Sequence, residues 1–175
     1  MDFAIRVIGA AMVCISSTIV GYYLSMRNDF RAADLREFKR ALAILKSEIE
    51  YSLNILPFAC DNIASKTQGE VSRFFQVVAA RLSDDDGVVV AQVWQEKVDN
   101  DLRNSHLIAE DAEQIAQLGK TLGYLDPELQ LRGIDILNEY LDKNIETAEA
   151  AAGKNKRMLR SLGFICGLVV VVVLF

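Results

Sequence analysis

The chain has 175 residues and a formal net charge of −5, with only two prolines and ten glycines. Its length predicts about one domain, and so few turn-forming residues argue against a turn-rich β protein. The stretch from Ala41 to Gly153 holds 20 of the 24 acids and 9 of the 19 basic residues, a net charge of −11, which excludes nucleic-acid binding by phosphate neutralisation.

The chain opens with an apolar segment from Phe3 to Leu24. At about 1.5 Å per residue it is long enough to cross a hydrocarbon core of about 30 Å. Arg6 lies near its outer end, where a long side chain can reach the headgroups. A cleaved signal peptide is the alternative, but the segment lacks a basic start and a convincing cleavage site. We therefore expect a retained transmembrane helix over residues 1–26.

The first helix of the middle region is predicted from Arg31 to Asn54. Its apolar residues recur at spacings of three and four and form one stripe, and acids such as Glu48 and Glu50 are expected on solvated faces. The residues of the stripe are Leu35, Phe38, Leu42, Leu45 and Ile49. Pro57 suits the first turn of a second helix, which is predicted to reach about Lys66 and to stop at Gly69.

A third helix is predicted from Val71 to Leu82, followed by a solvated turn. The turn contains three successive acids, Asp84, Asp85 and Asp86, whose spacing does not match an ion-binding loop. A fourth helix is predicted from Val88 to Leu102, with Trp94, the single tryptophan, as a core anchor.

The fifth helix is predicted from about Ile108 to Leu122, with an apolar stripe of Ala112, Ile115, Leu118 and Leu122. His106 is expected to be an exposed residue of the connection before it. Asp126-Pro127-Glu128 is a strong start signal for a sixth helix. No stop signal follows before Gly153, so this helix is predicted to continue toward the membrane.

The C-terminal apolar run from Leu162 to Phe175 is short for a membrane span, and starting it at Met158 lengthens it. Gly163 and Gly167 have the spacing that lets helix backbones approach closely in a bilayer. Packing against another transmembrane helix and two incidental glycines in an apolar run are equally good interpretations.

Basic residues flank the middle region on both sides and are predicted to be membrane-flanking: Arg27, Arg31, Lys154, Lys156, Arg157 and Arg160. Under the positive-inside rule they place the middle region in the cytoplasm. The predicted fold is all-α: a cytoplasmic six-helix bundle between an N-terminal and a C-terminal transmembrane helix. The predicted domains are 1–26, 27–157 and 158–175.

No catalytic signature is present, so the sequence predicts a non-enzyme without a cofactor or a bound metal. Two of the cysteines lie in the apolar ends, and no pair has metal-ligand spacing. They are expected to be small hydrophobic residues in a reducing compartment.

Three blocks of residues resemble the stage III sporulation protein AB family of endospore-forming Firmicutes. The first runs from Leu35 to Leu42 and through Glu48-Ile49-Glu50-Tyr51 to Pro57. The second has Phe74-Phe75, Val78-Ala79, Arg81-Leu82 and Trp94; the third has Leu118-Gly119, Leu122-Gly123, Asp126, Gln130, Asn155, Arg157-Met158 and Arg160-Ser161-Leu162-Gly163. The chain departs from the family pattern at Leu159 and at Ile55-Leu56.

The resemblance implies a helical domain similar to the inner-membrane platform proteins of type II secretion. It implies a scaffold subunit of a secretion-like channel complex between the mother cell and the forespore. The protein would lie in the cell membrane as a multi-pass protein, with its helical domain facing the mother-cell cytoplasm. The expected partners are other integral membrane subunits and a cytoplasmic ATPase. Asp84, Asp85 and Asp86 are candidate partner-facing acids.

Two other functions stay open at this point. One is a membrane-anchored regulator whose helical domain responds to a ligand or partner, although no polar constellation in an apolar pocket is visible in the sequence. The other is a membrane-embedded enzyme, for which no nucleophile, base or metal set can be assembled.

Overall fold

The computed structural model describes residues 2–52, 55–84, 89–102, 105–122 and 126–174. It does not describe the side chains of most residues before Met26, of residues 52 and 155–156, or of any residue after Met158. The elements in chain order are α1 (Asp2–Ser47), a π-helical turn (Glu48–Ser52), α2 (Leu56–Lys66), α3 (Gly69–Asp84), α4 (Val90–Asp101), α5 (Ala109–Leu122) and α6 (Pro127–Leu174). The described residues contain six α-helices and no strand, which confirms the all-α prediction.

The first and last helices are longer than the predicted bundle helices. α1 begins at Asp2, so the helix predicted over residues 1–26 and the helix predicted from Arg31 form one continuous helix. No Gly or Pro lies between Gly21 and Pro57 to separate them. α6 continues past Gly153 to Leu174, as the absence of a stop signal predicts. The π-helical turn at the end of α1 was not predicted from the sequence.

The connection between α2 and α3 corrects the role given to Gly69. α2 ends at Lys66, where Thr67 donates from its backbone N–H (3.0 Å) and its hydroxyl (2.8 Å) to the carbonyl of Ile63. Gly69 instead begins α3 and has φ of +63°. The left-handed backbone conformation, which glycine adopts readily, is needed to turn the chain into α3 rather than to stop α2.

The start of α6 is confirmed as predicted. Asp126 accepts a hydrogen bond on Oδ1 from the backbone N–H of Glu128 at 2.9 Å, and Pro127 is the first helical residue. An oxygen acceptor at the cap and a proline at the first position satisfy or remove amide groups that have no partner inside the helix.

The core of the bundle is built around four aromatic rings. Phe38, Phe74, Phe75 and Trp94 are all fully buried. The Trp94 ring lies edge-on to Phe74 at a centroid distance of 5.0 Å, and its indole N–H donates to the carbonyl of Ile115 at 2.8 Å. The predicted core role of Trp94 is therefore confirmed, with its one polar atom satisfied.

Glycines allow two close helix contacts in this bundle. A Cβ at Gly119 of α5 would lie 2.4–2.6 Å from the Trp94 side chain of α4. A Cβ at Gly133 of α6 would lie 2.4 Å from the Thr121 hydroxyl of α5. A larger residue at either position would therefore require one of the two helices to move.

The chain forms two compact units. One consists of Met1–Phe30 with Thr147–Phe175, and the other, which we call the bundle, is Arg31–Glu146. Among the residues that the structure describes, no helix has both the length and the apolar character that crossing a membrane requires. The flanking transmembrane helices and the domain boundaries 1–26, 27–157 and 158–175 stay predictions.

Candidate functional site

A buried ionic cluster joins α1, α5 and α6 within the bundle. Arg31 donates from Nε to Asp111 Oδ2 and from Nη2 to Asp111 Oδ1, both at 2.8 Å. Asp111 Oδ1 also accepts from the hydroxyl of Tyr140 at 3.0 Å, and Oδ2 from the backbone N–H of Ile108 at 3.1 Å. Arg31 Nη2 donates in addition to Asn144 Oδ1 at 3.1 Å. We call Arg31, Asp111, Tyr140 and Asn144 the ionic cluster.

Burial makes these contacts obligatory. Asp111 is fully buried and Arg31 is 8% exposed, so either charge without the other would be desolvated and unpaired. The hydrogen bond to Asp111 raises the pKa of Arg31 and outweighs the opposite effect of burial. Burial, followed by the nearby Asp111, raises the pKa of Tyr140 to about 12. Both groups therefore keep their protons, and act as donors, at neutral pH.

The sequence carries a signal for this cluster that the apolar stripes alone do not show. Arg31 precedes the stripe residue Leu35 by four positions, and Asp111 precedes the stripe residue Ile115 by four. Both charges thus continue an apolar face of their helix. Opposite charges at core positions of two helices are the pattern that would have predicted a buried pair.

Glu48 does not lie on a solvated face, which corrects the prediction for that residue. It is 8% exposed, and its Oε1 accepts from Asn62 Nδ2 of α2 at 2.5 Å. The physical reason is that Glu48 lies three residues beyond the buried Leu45, on the core side of the helix. Glu50 is exposed, as predicted.

The predicted membrane-flanking residues occupy different environments. Arg27, Lys154 and Arg157 have exposed side chains, whereas Arg31 is held inside the bundle by Asp111. The side chains of Lys156 and Arg160 lie outside the described residues, as do the surroundings of Gly163 and Gly167. The membrane-flanking role stays a prediction, and for Arg31 the structure shows an internal partner instead.

The candidate partner-facing acids are only partly described. Asp84 is the exposed last residue of α3, and Asp85 and Asp86 lie outside the described residues. No group of three or more His, Cys, Asp or Glu side chains suited to a metal ion occurs in the part of the chain that the structure describes.

Two further side chains of potentially reactive types, those of Cys60 and His106, have contacts that fit a structural role. Cys60 is fully buried, and burial raises the pKa of its thiol to about 12, so it is an unreactive core residue. His106 is exposed, as predicted, and its backbone N–H donates to Asp34 Oδ2 at 2.8 Å.

Among the residues that the structure describes, two surface grooves are candidate binding sites. The larger, of about 640 Å³, lies between α4 and α5, and its lining includes both acids and a lysine: Asp99, Glu113 and Lys120. The smaller, of about 410 Å³, lies between α2 and α3 and is bordered by Phe58, which is 66% exposed. Two further exposed hydrophobic residues, Tyr51 (79%) and Ile55 (64%), precede Phe58. We call Tyr51, Ile55 and Phe58 the apolar tip.

Comparison with known proteins points to one family. A family model described as stage III sporulation protein AB matches residues 6–175. The stage III sporulation protein AB of Bacillus subtilis (strain 168) is 28% identical over 171 residues, which are 97% of this chain and 99% of that protein. A solved structure of a stage III sporulation protein AB matches with a TM-score of 0.66 at 25% identity, covering 71% of this chain and 97% of that chain.

Proposed function

Because the chain belongs to the stage III sporulation protein AB family, we propose that it is a non-enzymatic scaffold subunit of a membrane complex needed for endospore formation. The match over residues 6–175 carries this proposal. The complex is a secretion-like channel between the mother cell and the forespore. The protein organises other subunits by binding them and performs no chemistry of its own.

Membrane anchoring by both ends of the chain is part of the proposal. It is supported by the apolar segments Phe3–Leu24 and Leu162–Phe175 and by the exposed basic residues beside them, Arg27, Lys154 and Arg157. Basic residues next to apolar segments favour the cytoplasmic side of a bilayer. The bundle then faces the mother-cell cytoplasm.

The charge of the middle region supports a cytoplasmic partner. A net charge of −11 between Ala41 and Gly153 attracts a partner with a basic surface and raises the rate of encounter. A cytoplasmic ATPase of the same complex is the proposed partner. Asp84, Asp85 and Asp86 are the acids that we propose to attract the ATPase. The other integral membrane subunits of the complex are the proposed neighbours of this chain in the membrane.

Co-purification from membranes of sporulating cells tests the scaffold role. The full-length tagged chain should remain with the membrane fraction after carbonate washing and should co-purify with other integral membrane sporulation proteins and an ATPase. Recovery in the soluble fraction, without such proteins, would rule the proposal out. Deletion of the gene should block endospore formation.

Cysteine labelling tests the orientation. Cys60 is buried and cannot report on exposure, so a single cysteine is introduced at the exposed Glu139 after replacement of the three native cysteines. A membrane-impermeant maleimide should label this position only after the cells are permeabilised. Labelling in intact cells would place the bundle on the opposite side.

Charge reversal tests the attraction of the ATPase. Asp84, Asp85 and Asp86 are replaced together by Lys, and the control replaces three exposed acids of α6, Glu128, Glu139 and Glu146, by Lys. Both variants change the net charge equally, so only the first should weaken ATPase recovery, and more strongly at low salt. Equal recovery from both variants at every salt concentration contradicts a role for these three acids.

A further inference from the structure

Two ion pairs on the surface of the bundle report the register of α1 against α6. Lys39 of α1 pairs with Asp142 of α6, and Lys46 Nζ lies 2.7 Å from Asp135 Oδ1. The two lysines are seven residues apart on α1, and the two aspartates are seven residues apart on α6. Because the partner's number falls as the number on α1 rises, the two helices run antiparallel, and both pairs give the same register.

The contact between Arg31 and Asn144 follows Asp111 rather than this register. Arg31 lies eight residues before Lys39, whereas Asn144 lies only two residues after Asp142. Two nitrogens of Arg31 are bound to Asp111 of α5, and one of these also reaches Asn144, at 3.1 Å. The position of this guanidinium is therefore set by α5, and the two lysine pairs report how α1 and α6 are aligned.

The same number of residues leads from this register to the basic residues beside each apolar segment. α1 and α6 are each one continuous helix. Arg27 precedes Lys39 by 12 residues, and Lys154 follows Asp142 by 12 residues. At about 1.5 Å per residue, both lie about 18 Å along their helix from the same ion pair. The N-terminal part of α1 and the C-terminal part of α6 belong to one compact unit.

The charges in these two stretches are almost all basic. Residues 25–30 and 150–160 contain five basic residues and one acid, the half-buried Asp29, a net charge of +4. The next acid on α6, Glu149, lies five residues before Lys154. Three of the basic side chains are described and exposed, and we call them the basic belt: Arg27, Lys154 and Arg157. The belt contrasts with the net charge of −11 in the middle region.

Exposed apolar side chains continue from the basic belt toward the ends of the chain. Met12 is 66% exposed and Ile19 is 63% exposed, and their seven-residue spacing places both on one face of α1. Met158, next to Arg157, is 56% exposed. Exposed cations thus adjoin exposed apolar side chains on both helices. The surface of a bilayer offers the complementary arrangement, with headgroup phosphates beside hydrocarbon.

We propose that α1 and α6 reach the bilayer surface at the same level, where the basic belt binds the headgroup phosphates of anionic phospholipids. Each cation close to an anionic membrane surface strengthens attachment about fivefold. This inference rests on the membrane anchoring of the proposed function and adds which residues contact lipid and which lipid they select. Arg31 is not among them, because it is paired with Asp111 inside the bundle.

The neighbouring apolar side chains favour a phospholipid over other anions. A free phosphate ion or a nucleic acid would neutralise the basic belt but leave Met12, Ile19 and Met158 in water. A second copy of the belt would bring like charges together, which is repulsive. A phospholipid brings a phosphate and hydrocarbon to the same place.

The first experiment measures lipid selection by the full-length chain. The chain is purified in detergent and mixed with equal amounts of phosphatidylglycerol and phosphatidylcholine, and the bound lipids are counted by native mass spectrometry. We expect phosphatidylglycerol to be retained at least about tenfold over phosphatidylcholine. Replacing the basic belt by Arg27→Gln, Lys154→Gln and Arg157→Gln should abolish this preference. The matched control replaces three exposed basic residues of the bundle, changes the charge equally and should keep the preference: Arg81→Gln, Arg132→Gln and Lys143→Gln.

Inorganic phosphate separates a headgroup site from a general anion site. At equal ionic strength, sodium phosphate should displace no more phosphatidylglycerol than sodium chloride does. An unchanged melting transition, followed by Trp94 fluorescence, shows that each variant is folded. Three outcomes overturn the proposal: equal retention of both lipids by the wild-type chain, the same preference in the belt variant and the control variant, or selective displacement by phosphate.

The second experiment measures the level of the two helices in a bilayer. After replacement of the three native cysteines, a single cysteine at position 27, 154 or 139 is labelled with a fluorophore. The full-length chain is then placed in nanodiscs of phosphatidylglycerol and phosphatidylcholine that carry nitroxides on the headgroups. The labels at 27 and 154 should be quenched to the same extent, and the label at 139, in the bundle, should be quenched much less. Quenching at only one of positions 27 and 154 overturns the common level.

The membrane anchoring is judged separately by the carbonate wash. A chain that the wash removes from the membrane fails the proposed anchoring. A chain that stays in the membrane but retains both lipids equally loses only the basic belt.

Discussion

The ionic cluster and the apolar tip are opposite departures from the usual distribution of side chains in a bundle. The first places a charged pair in the interior, and the second places large hydrophobic residues in water. Both charges of the cluster are paired inside the chain: Asp111 accepts four hydrogen bonds. The hydrophobic residues of the tip have no such coverage.

The difference separates residues that stabilise the fold from residues that do not. A buried polar group that is fully satisfied has completed its interactions within the chain, so its removal changes the fold. An exposed aromatic residue beside an open groove has little buried surface to lose, so its removal leaves the stability of the fold almost unchanged. We therefore expect stability to depend on the cluster and not on the tip.

Removal of Asp111 should have the largest effect on stability. Asp111→Ala leaves Arg31 buried without its partner and removes the acceptor of Tyr140, which should cost about 3–5 kcal/mol of unfolding free energy. Urea denaturation of the full chain in detergent, followed by Trp94 fluorescence, measures it. Replacement of both charges by apolar residues, Arg31→Met with Asp111→Leu, should recover most of the loss. A loss below about 1 kcal/mol for Asp111→Ala would mean that the pair behaves like a surface ion pair.

Gly119→Ala should have the next largest effect on stability. It tests packing without any change of charge. The added Cβ would overlap the Trp94 side chain, and overpacking of this kind costs about 1–3 kcal/mol. The matched control is Gly153→Ala, whose Cβ would meet nothing within 4 Å and which should stabilise α6 by about 0.5–1 kcal/mol. Equal effects of the two substitutions in thermal denaturation would show that α4 and α5 are less closely packed than described.

Tyr140→Phe should have a smaller effect with a distinct dependence on pH. Loss of the hydrogen bond to Asp111 should cost about 1 kcal/mol near neutral pH. The pKa of Tyr140 is raised from 10.0 to about 12 on folding, so the stability linked to its proton is fully present below pH 10 and is lost as the pH rises through about 12. The difference in unfolding free energy between wild type and Tyr140→Phe should therefore shrink between pH 10 and 12. A difference in unfolding free energy that stays constant from pH 10 to 12 would contradict a raised pKa for Tyr140.

Phe58→Ser should have the smallest effect on stability, within about 0.5 kcal/mol of zero. Phe58 is 66% exposed, so little of its surface leaves water on folding and little is lost by its truncation. Thermal denaturation of the full chain measures this, with Phe74→Ser, at a fully buried residue, as the destabilised control. A large loss for Phe58→Ser would place the apolar tip among the structural residues and end the contrast with the ionic cluster.

The sequence predicts most of the helices because their signals are local. Apolar spacing, Pro57 and Asp126-Pro127 fix where α2 and α6 begin, and the position of Trp94 in an apolar repeat predicts its burial. The sequence does not fix the role of Gly69, because a glycine between two helices suits either the end of the first or the turn into the second. The burial of Glu48 follows from its position on the core side of the helix, which outweighs the usual preference of a carboxylate for water.

Sequence by itself therefore determined the helical class, the family and the acidic character of the middle region, because periodicity, residue order and charge are properties of the chain. Only the tertiary structure decided that Arg31 of α1 pairs with Asp111 of α5, since spacing places each charge on a helix face but does not say which faces meet. It also decided that Phe58 is exposed beside a groove while Phe74 is buried, because burial depends on which helices cover a residue and not on its own apolar character.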